Sequence, residues 1–259
     1  MIGVNNGIVS NCSANCRVSG LNHAGGLAGL VGYNGDVITD CFATGHVSGG
    51  ESSNTLGGLV GANKGDISFC YATCNVSGGE ENSNIGGLVG LNGEWNATDD
   101  SGGCNITYCY SIGAVSGADG SYRIGGLIGR NYNSDTSNCY STGLVTCGNN
   151  CRDLGGFVGD NQSGKISYCY AGGSVASGNE SENIRGFAGD VEDANTIEGC
   201  YFLIDPDSVE LANDYGLSLT DEQMKQQDSF VGWDFDEIWM ICEGLDYPRL
   251  QFQEIQCGE

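Results

Sequence analysis

The stretch GGLVGANKGDISFCYATCNV, residues 57–76, decides how this chain folds, because its landmarks return in one frame along most of the sequence. Its Cys70 belongs to the series Cys12, Cys41, Cys70, Cys109, Cys139, Cys169 and Cys200, spaced by 29, 29, 39, 30, 30 and 31 residues. The long interval holds a polar insertion, EWNATDDSGG at 94–103. Three residues before each cysteine stand Val9, Ile38, Ile67, Ile106, Thr136, Ile166 and Ile197. Six residues after the first six cysteines stand Val18, Val47, Val76, Val115, Val145 and Val175. Upstream run GLVG, GGLVG, GGLVG, GGLIG, GGFVG and RGFAG. A fixed period of about 20 to 50 residues is the signature of a solenoid or an array.

Each unit carries two short stretches of β-branched, aromatic and small residues punctuated by Gly and Asn, which reads as strands and turns rather than helix. One hairpin per unit would leave edges open. Stacking the units as coils, with each strand parallel to its copy one turn on, pairs the internal backbone groups and piles identical side chains into ladders. The expected fold is all-β: over residues 1–202, a right-handed parallel β-solenoid of about seven turns of 29–31 residues. At ~4.8 Å per coil that is a rod about 34 Å long. The series Gly32, Gly61, Gly90, Gly129, Gly159, Gly189 and Asn34, Asn63, Asn92, Asn131, Asn161 are expected to mark corners, since Gly and Asn tolerate positive φ. The rhythm stops at 203–206, and Val191 stands where Asn is expected. Beyond it, Thr220 and Gln223 fit a capping box opening a short helix near 220–227. Phe230, Trp233, Phe235, Ile238, Trp239 and Ile241 then concentrate large apolar groups. A solenoid's last coil must be covered, so residues 203–259 are read as a small mixed C-terminal cap, with Trp233, Phe235 and Trp239 lying over that coil.

These residues resemble the GLUG repeat family, named for its GGLVG-like core and found in large bacterial and archaeal surface proteins. The likeness covers residues 2–202. The stretch GLSLTDEQMKQQDSFVGWDFDEIWMICEGLDYPRL, 216–250, is similar to the module that commonly follows the last repeat in such proteins. The resemblance implies a β-solenoid stalk or adhesive surface and brings no shared catalytic residues with it.

Composition narrows the partners. With 45 Gly and 2 Pro the chain is Gly-rich without the triplet period of collagen, which places the glycines at recurring turns. Thirty-three acidic against nine basic residues give a net charge of −24, which repels nucleic acid and anionic lipid, both bound mainly through Lys and Arg. No run approaches the ~18 apolar residues of a membrane span, and the N-terminus lacks a signal-peptide pattern. Fourteen cysteines suit an oxidising, extracytoplasmic setting. Asn-x-Ser/Thr sequons at Asn11, Asn75, Asn96, Asn105, Asn161 and Asn179 fit a surface protein, and also arise by chance in a chain rich in Ser and Asn.

Candidate chemistry is sparse. Neighbouring cysteines of the ladder would have Cα atoms ~4.8 Å apart, within disulfide reach; equally, the row reads as small buried hydrophobes. Cys16 and Cys74 share a repeat position two turns apart, about 9.6 Å, too far to bridge without movement. Cys147 and Cys151 flank a Gly-Asn-Asn loop and are the disulfide candidate; no zinc spacing joins them. After each cysteine but the first comes an aromatic residue: Phe42, Tyr71, Tyr110, Tyr140, Tyr170 and Tyr201. If the cysteines face inward, these rings form an exposed stripe suited to stacking on sugars or a partner protein; in the reverse register they are core, and periodicity alone leaves the face open. His23 and His46 sit in turns without a nucleophile motif. The acids Glu80, Glu81, Asp99, Asp100, Glu180 and Glu182 cluster in variable loops, where a solvated rim is the ordinary role. Asp99 and Asp100 lie in no EF-hand or nonapeptide calcium motif. No catalytic residue, metal or cofactor is assigned.

The functional expectation is a non-catalytic cell-surface or extracellular structural or adhesive protein, with glycans, other surface proteins or copies of itself as partners. Two other readings stand beside it: a subunit of an extracellular sheath or filament assembled by packing and disulfides, and a β-helix enzyme acting on polysaccharides. The start at MIGVNNG, inside a repeat, reads as the beginning of a mature or excised piece. It offers no cover for the first coil, so assembly through that N-terminal face, or further repeats ahead of it, is expected.

Overall fold

A computed structural model describes residues 1–93, 104–204 and 215–258. The insertion at 94–103, with Asn96, Asp99 and Asp100, and Pro206 lie outside the described residues.

The repeat becomes a coil that visits four parallel sheets in turn. In one coil the chain passes through Val60–Asn63, Ile67–Ser68, Tyr71–Ala72 with Asn75–Ser77, and Ser83–Gly86. Each strand pairs in register with its copy one coil on, so Val31 meets Val60 and Val60 meets Val89. The first two sheets have seven strands each and the fourth has six, giving six complete turns and a partial seventh. The third sheet is the widest, and in the first two coils its strand is continuous, Ser13–Ser19 and Phe42–Ser48.

Alternation along the strands sends one set of side chains inward. Leu59, Val60, Ile67, Cys70, Ala72 and Val76 are all buried, and their copies in neighbouring coils form columns of like residues. Phe157 stacks on Phe187 in the same way, ring centroids 5.0 Å apart. Identical side chains at identical heights pack without voids, which is why a period in sequence becomes a core.

The Gly and Asn series work differently from the expectation. Neither has positive φ. The Gly ladder lies within strands of the first sheet, where neighbouring backbone leaves no room for a side chain: a Cβ on Gly90 would sit 2.7 Å from the carbonyl oxygen of Gly61 in the adjacent coil and 2.8 Å from the nitrogen of Leu56 in the facing fourth sheet. The Asn ladder does stand at the bend into the second sheet, but it acts through its amides. Asn5, Asn34, Asn63, Asn92, Asn131 and Asn161 form a buried chain in which each Nδ2 donates to the next Oδ1 at 2.7–2.8 Å. The second proton of Nδ2 closes the turn, as from Asn63 to the Gly65 carbonyl. At Val191 the row ends, and Asn161 donates to Thr196 Oγ1. Left-handed corners recur at other repeat positions, one series being Asn11, Asp40, Phe69, Tyr108, Asn138, Tyr168 and Gly199, directly before the cysteines, and Asn133 and Ser163 adopt this conformation two residues after Asn131 and Asn161.

The C-terminal segment corrects a second expectation. The edge of the last coil is met by Leu217–Leu219, which pairs in parallel with Tyr201–Leu203, and by Phe202, whose ring packs under Gly186. Trp233 and Trp239 lie on the flank of the third sheet instead, against tyrosines of several coils. The helix is one turn, Asp221–Met224, with Thr220 and Gln223 forming the capping box, followed by a 3-10 turn at Gln227–Ser229. Trp239–Met240 and Arg249–Leu250 make a small antiparallel pair. A disulfide joins Cys242 to Cys257.

Candidate functional site

The aromatic ladder is where side chains with binding chemistry converge. The cysteines face inward, so the next residue of each strand points away from the solenoid core. Phe42, Tyr71, Tyr110, Tyr140 and Tyr170 stack along the flank with centroids 4.8–5.0 Å apart and planes within 4°. A shorter second stack, Phe69 on Tyr108, runs beside it.

Exposure of the whole stripe is not what the fold produces. Tyr110, Tyr140, Tyr170 and Tyr201 are buried, at 9, 0, 0 and 3% exposure, because the C-terminal segment lies over them as a strap. Trp239 sits 6.3 Å from Tyr140 and 6.1 Å from Tyr170, and its Nε1 donates to Asn138 Oδ1. Trp233 sits 5.9 Å from Tyr201 and donates to the Gly199 carbonyl. Asn138 and Gly199 hold the positions where other coils place Phe69, Tyr108 and Tyr168, and these smaller residues admit the indoles. The strap also binds the phenol tips. Tyr170 Oη donates to the Pro248 carbonyl at 2.8 Å, Tyr201 Oη accepts from Val231 N, and Gln253 and Arg249 donate to Tyr140 Oη. Burial pushes the Tyr170 and Tyr140 phenols above their ordinary range, so they are neutral donors and acceptors. Phe252 ends the cover, edge-on to Phe69 at 5.6 Å. Phe42 and Tyr71 stay half-buried, beyond it.

Elsewhere the candidates stay apart. Among the ladder cysteines, Cys41, Cys70, Cys109, Cys139, Cys169 and Cys200 are buried free thiols, and Cys12 is an exposed one. Burial pushes the Cys109 and Cys169 thiols up, which keeps those two in the thiol form. Cys16 and Cys74 are free, on either side of Gly45, and burial raises Cys74 to about 11. Cys147 and Cys151 are joined as a disulfide with Cα atoms 6.3 Å apart. The Cys242–Cys257 bridge escaped the sequence reading, although both residues fall outside the ladder frame, which is the signal that marks them. Five sequons fall in the described residues. Asn11, Asn75, Asn105 and Asn179 are exposed, whereas Asn161 is fully buried in the amide ladder and is closed to glycosylation in the folded chain. His46 Nε2 comes within 3.3 Å of Ser77 Oγ, a contact across coils that the sequence hides; its register neighbours are Arg17 and Asn75. His23 is an exposed left-handed corner. Glu80, Glu81, Glu180 and Glu182 are exposed. Asp160 is buried between Arg123 Nε at 2.9 Å and Arg130 Nε at 3.0 Å. Among the described residues, no three His, Cys, Asp or Glu side chains gather as metal ligands, and no helix is long and apolar enough to cross a membrane.

With coils, Gly-rich strands and ladders in view, the comparison with known families is direct. The description of the GLUG motif matches residues 20–48 and 120–146. This chain carries the GLUG motif. Both matched stretches run from a corner through strands of the solenoid, the first ending at Ser48 and the second inside Val145–Cys147. The chain is similar to a crystal structure from Bacteroides ovatus described as a candidate immunoglobulin A1 protease, at TM-score 0.58 and 18% identity, over 95% of this chain and 75% of that one. At that identity the likeness shows the fold alone. No curated protein matches the chain.

Proposed function

We propose that this GLUG solenoid is a non-catalytic structural or adhesive protein of the cell surface or extracellular space. The observation that carries this reading is where the repeated side chains go. Cysteines, asparagines, leucines and most of the aromatic ladder hold coil to coil or coil to strap, so what the repeat encodes is a rigid rod carrying variable loops. Two disulfides, Cys147–Cys151 and Cys242–Cys257, favour an oxidising compartment. Surface proteolysis and immunogold labelling of producing cells test the location, and a polysaccharide degradation assay tests the absence of catalysis. A cytosolic pool whose four bridge cysteines alkylate under denaturing, non-reducing conditions overturns the first; turnover of a glycan polymer overturns the second.

A specific observation favours assembly as a second reading. Residues 1–35 contain no Asp or Glu, in a chain of net charge −24. The first coil also exposes Val4, Ile8 and Leu21. A neutral, partly apolar face is the one through which such an acidic rod approaches other chains or further coils without repulsion. Sedimentation of the native particle, with and without reductant, tests it.

A further inference from the structure

Six coils place a ring at one position of the third sheet, and the first coil does not. Ser13 stands there, in register with Phe42. Phe42 and Tyr71 lie 4.8 Å apart with planes within 2°, so each coil is the height of one stacked ring. Ser13 therefore leaves a slot one ring high over the outer face of Phe42. Among the described residues, Phe42 has a ring contact on one side, with Tyr71.

The surroundings of the slot are polar and nearly uncharged. Ser10, Asn11, Ser13 and Asn15 are exposed along the first coil. Below them lie Thr44, in register with Asn15, and Asp40, which accepts from Thr39 Oγ1. Arg17 is the one Lys or Arg of residues 1–35. Compare the coils where an aromatic side chain does occupy this flank: there Trp239 rests among Leu219, Met224, Phe230 and Leu250, an apolar lining. Phe42 offers the same ring chemistry inside a rim of hydroxyls and amides. A flat partner with one apolar face and a hydroxylated edge matches that combination. The electron-rich face of an aromatic ring attracts the C–H groups of such a partner, and a few polar groups around an apolar floor fix its orientation. Asp40 disfavours an acidic ligand.

From this arrangement we infer that the Phe42–Ser13 slot binds a neutral pyranose ring, stacked on Phe42 with its hydroxyls toward Asn11, Ser13 and Asn15. The inference rests on the adhesive reading above and names its ligand class.

The test uses the full chain with methyl β-glucoside, methyl β-galactoside and methyl α-mannoside, and with glucuronate as the charged control. Saturation-transfer NMR and amide shifts report binding. The expected result is that at least one neutral hexoside receives saturation and shifts the amides of Ser13 and Asn15, while glucuronate does not. Ser13→Phe, which fills the slot with the ladder's own ring at an exposed position, weakens binding at least tenfold, as does Phe42→Ala. Phe69→Ala, on the second stack, leaves it unchanged. Absence of shifts at residues 11–15, undiminished affinity in Ser13→Phe, or a slot that reports only self-association overturns the inference. A glycan array separates the two levels: glycan retention that Ser13→Phe does not alter removes this site and leaves adhesion standing, whereas no retention removes both.

Discussion

The coils and the strap are held together by opposite chemistry. Inside the solenoid like meets like: Asn on Asn, Ile on Ile, Cys on Cys, each at the height that one turn imposes. Across the flank unlike groups meet, with indoles against phenols, Arg249 over Tyr140 at 5.6 Å, and a backbone carbonyl taking the Tyr170 hydroxyl. A ladder contact is specified by the period alone. A strap contact requires two unrelated stretches, such as Trp239 and Asn138, to be placed by the rest of the fold. The difference implies that strap and coils fail separately.

The strongest way to break that comparison is Trp239→Ala. Trp239 is fully buried on the flank, and removing such a side chain costs about 3–5 kcal/mol. The expected outcome in denaturant titration followed by limited proteolysis is early loss of the strap, with the far-UV signal of the coils retained. Coils and strap melting together would unite the two regions. Asn63→Ala attacks the other side. It leaves the Asn34 Nδ2 and the Asn92 Oδ1 without their ladder partner, and two buried orphans together cost about 3 kcal/mol. Here the coil transition itself is expected to move to lower denaturant.

Alkaline pH offers a milder handle on the strap. The buried Tyr140 and Tyr170 phenols titrate above the ordinary value of a free tyrosine. A raised folded-state pKa contributes stability that is fully present below about pH 10, the unfolded value, and is lost as pH rises through the folded value. Near-UV circular dichroism should therefore report loosening of the Trp–Tyr contacts above pH 10 before the β signal changes; a strap indifferent to pH 11 would contradict it. The smallest expected effect sharpens the ladder rule. Thr136 interrupts the isoleucine column, and its hydroxyl is buried without a partner. Thr136→Val should stabilise the coils by about 1 kcal/mol, read as a rise in the denaturation midpoint.

What residues 57–76 and their copies determined was the coil: parallel pairing, inward columns and their register. A side chain repeated at one height has its own copy as neighbour, so periodicity is already a contact map for the solenoid. The reason for each repeated residue was less legible. Gly90 is small because a facing strand crowds it, and Asn63 is kept for its amide; neither cause leaves a mark distinguishable from a turn residue in one sequence. Which tyrosines are accessible was decided by tertiary structure alone. Tyr71 and Tyr140 occupy equivalent positions of equivalent coils, yet one is half-buried and the other wholly covered. The cover comes from a non-repeating segment more than ninety residues further along the chain from Tyr140, and contacts between unlike stretches carry no period that could announce them.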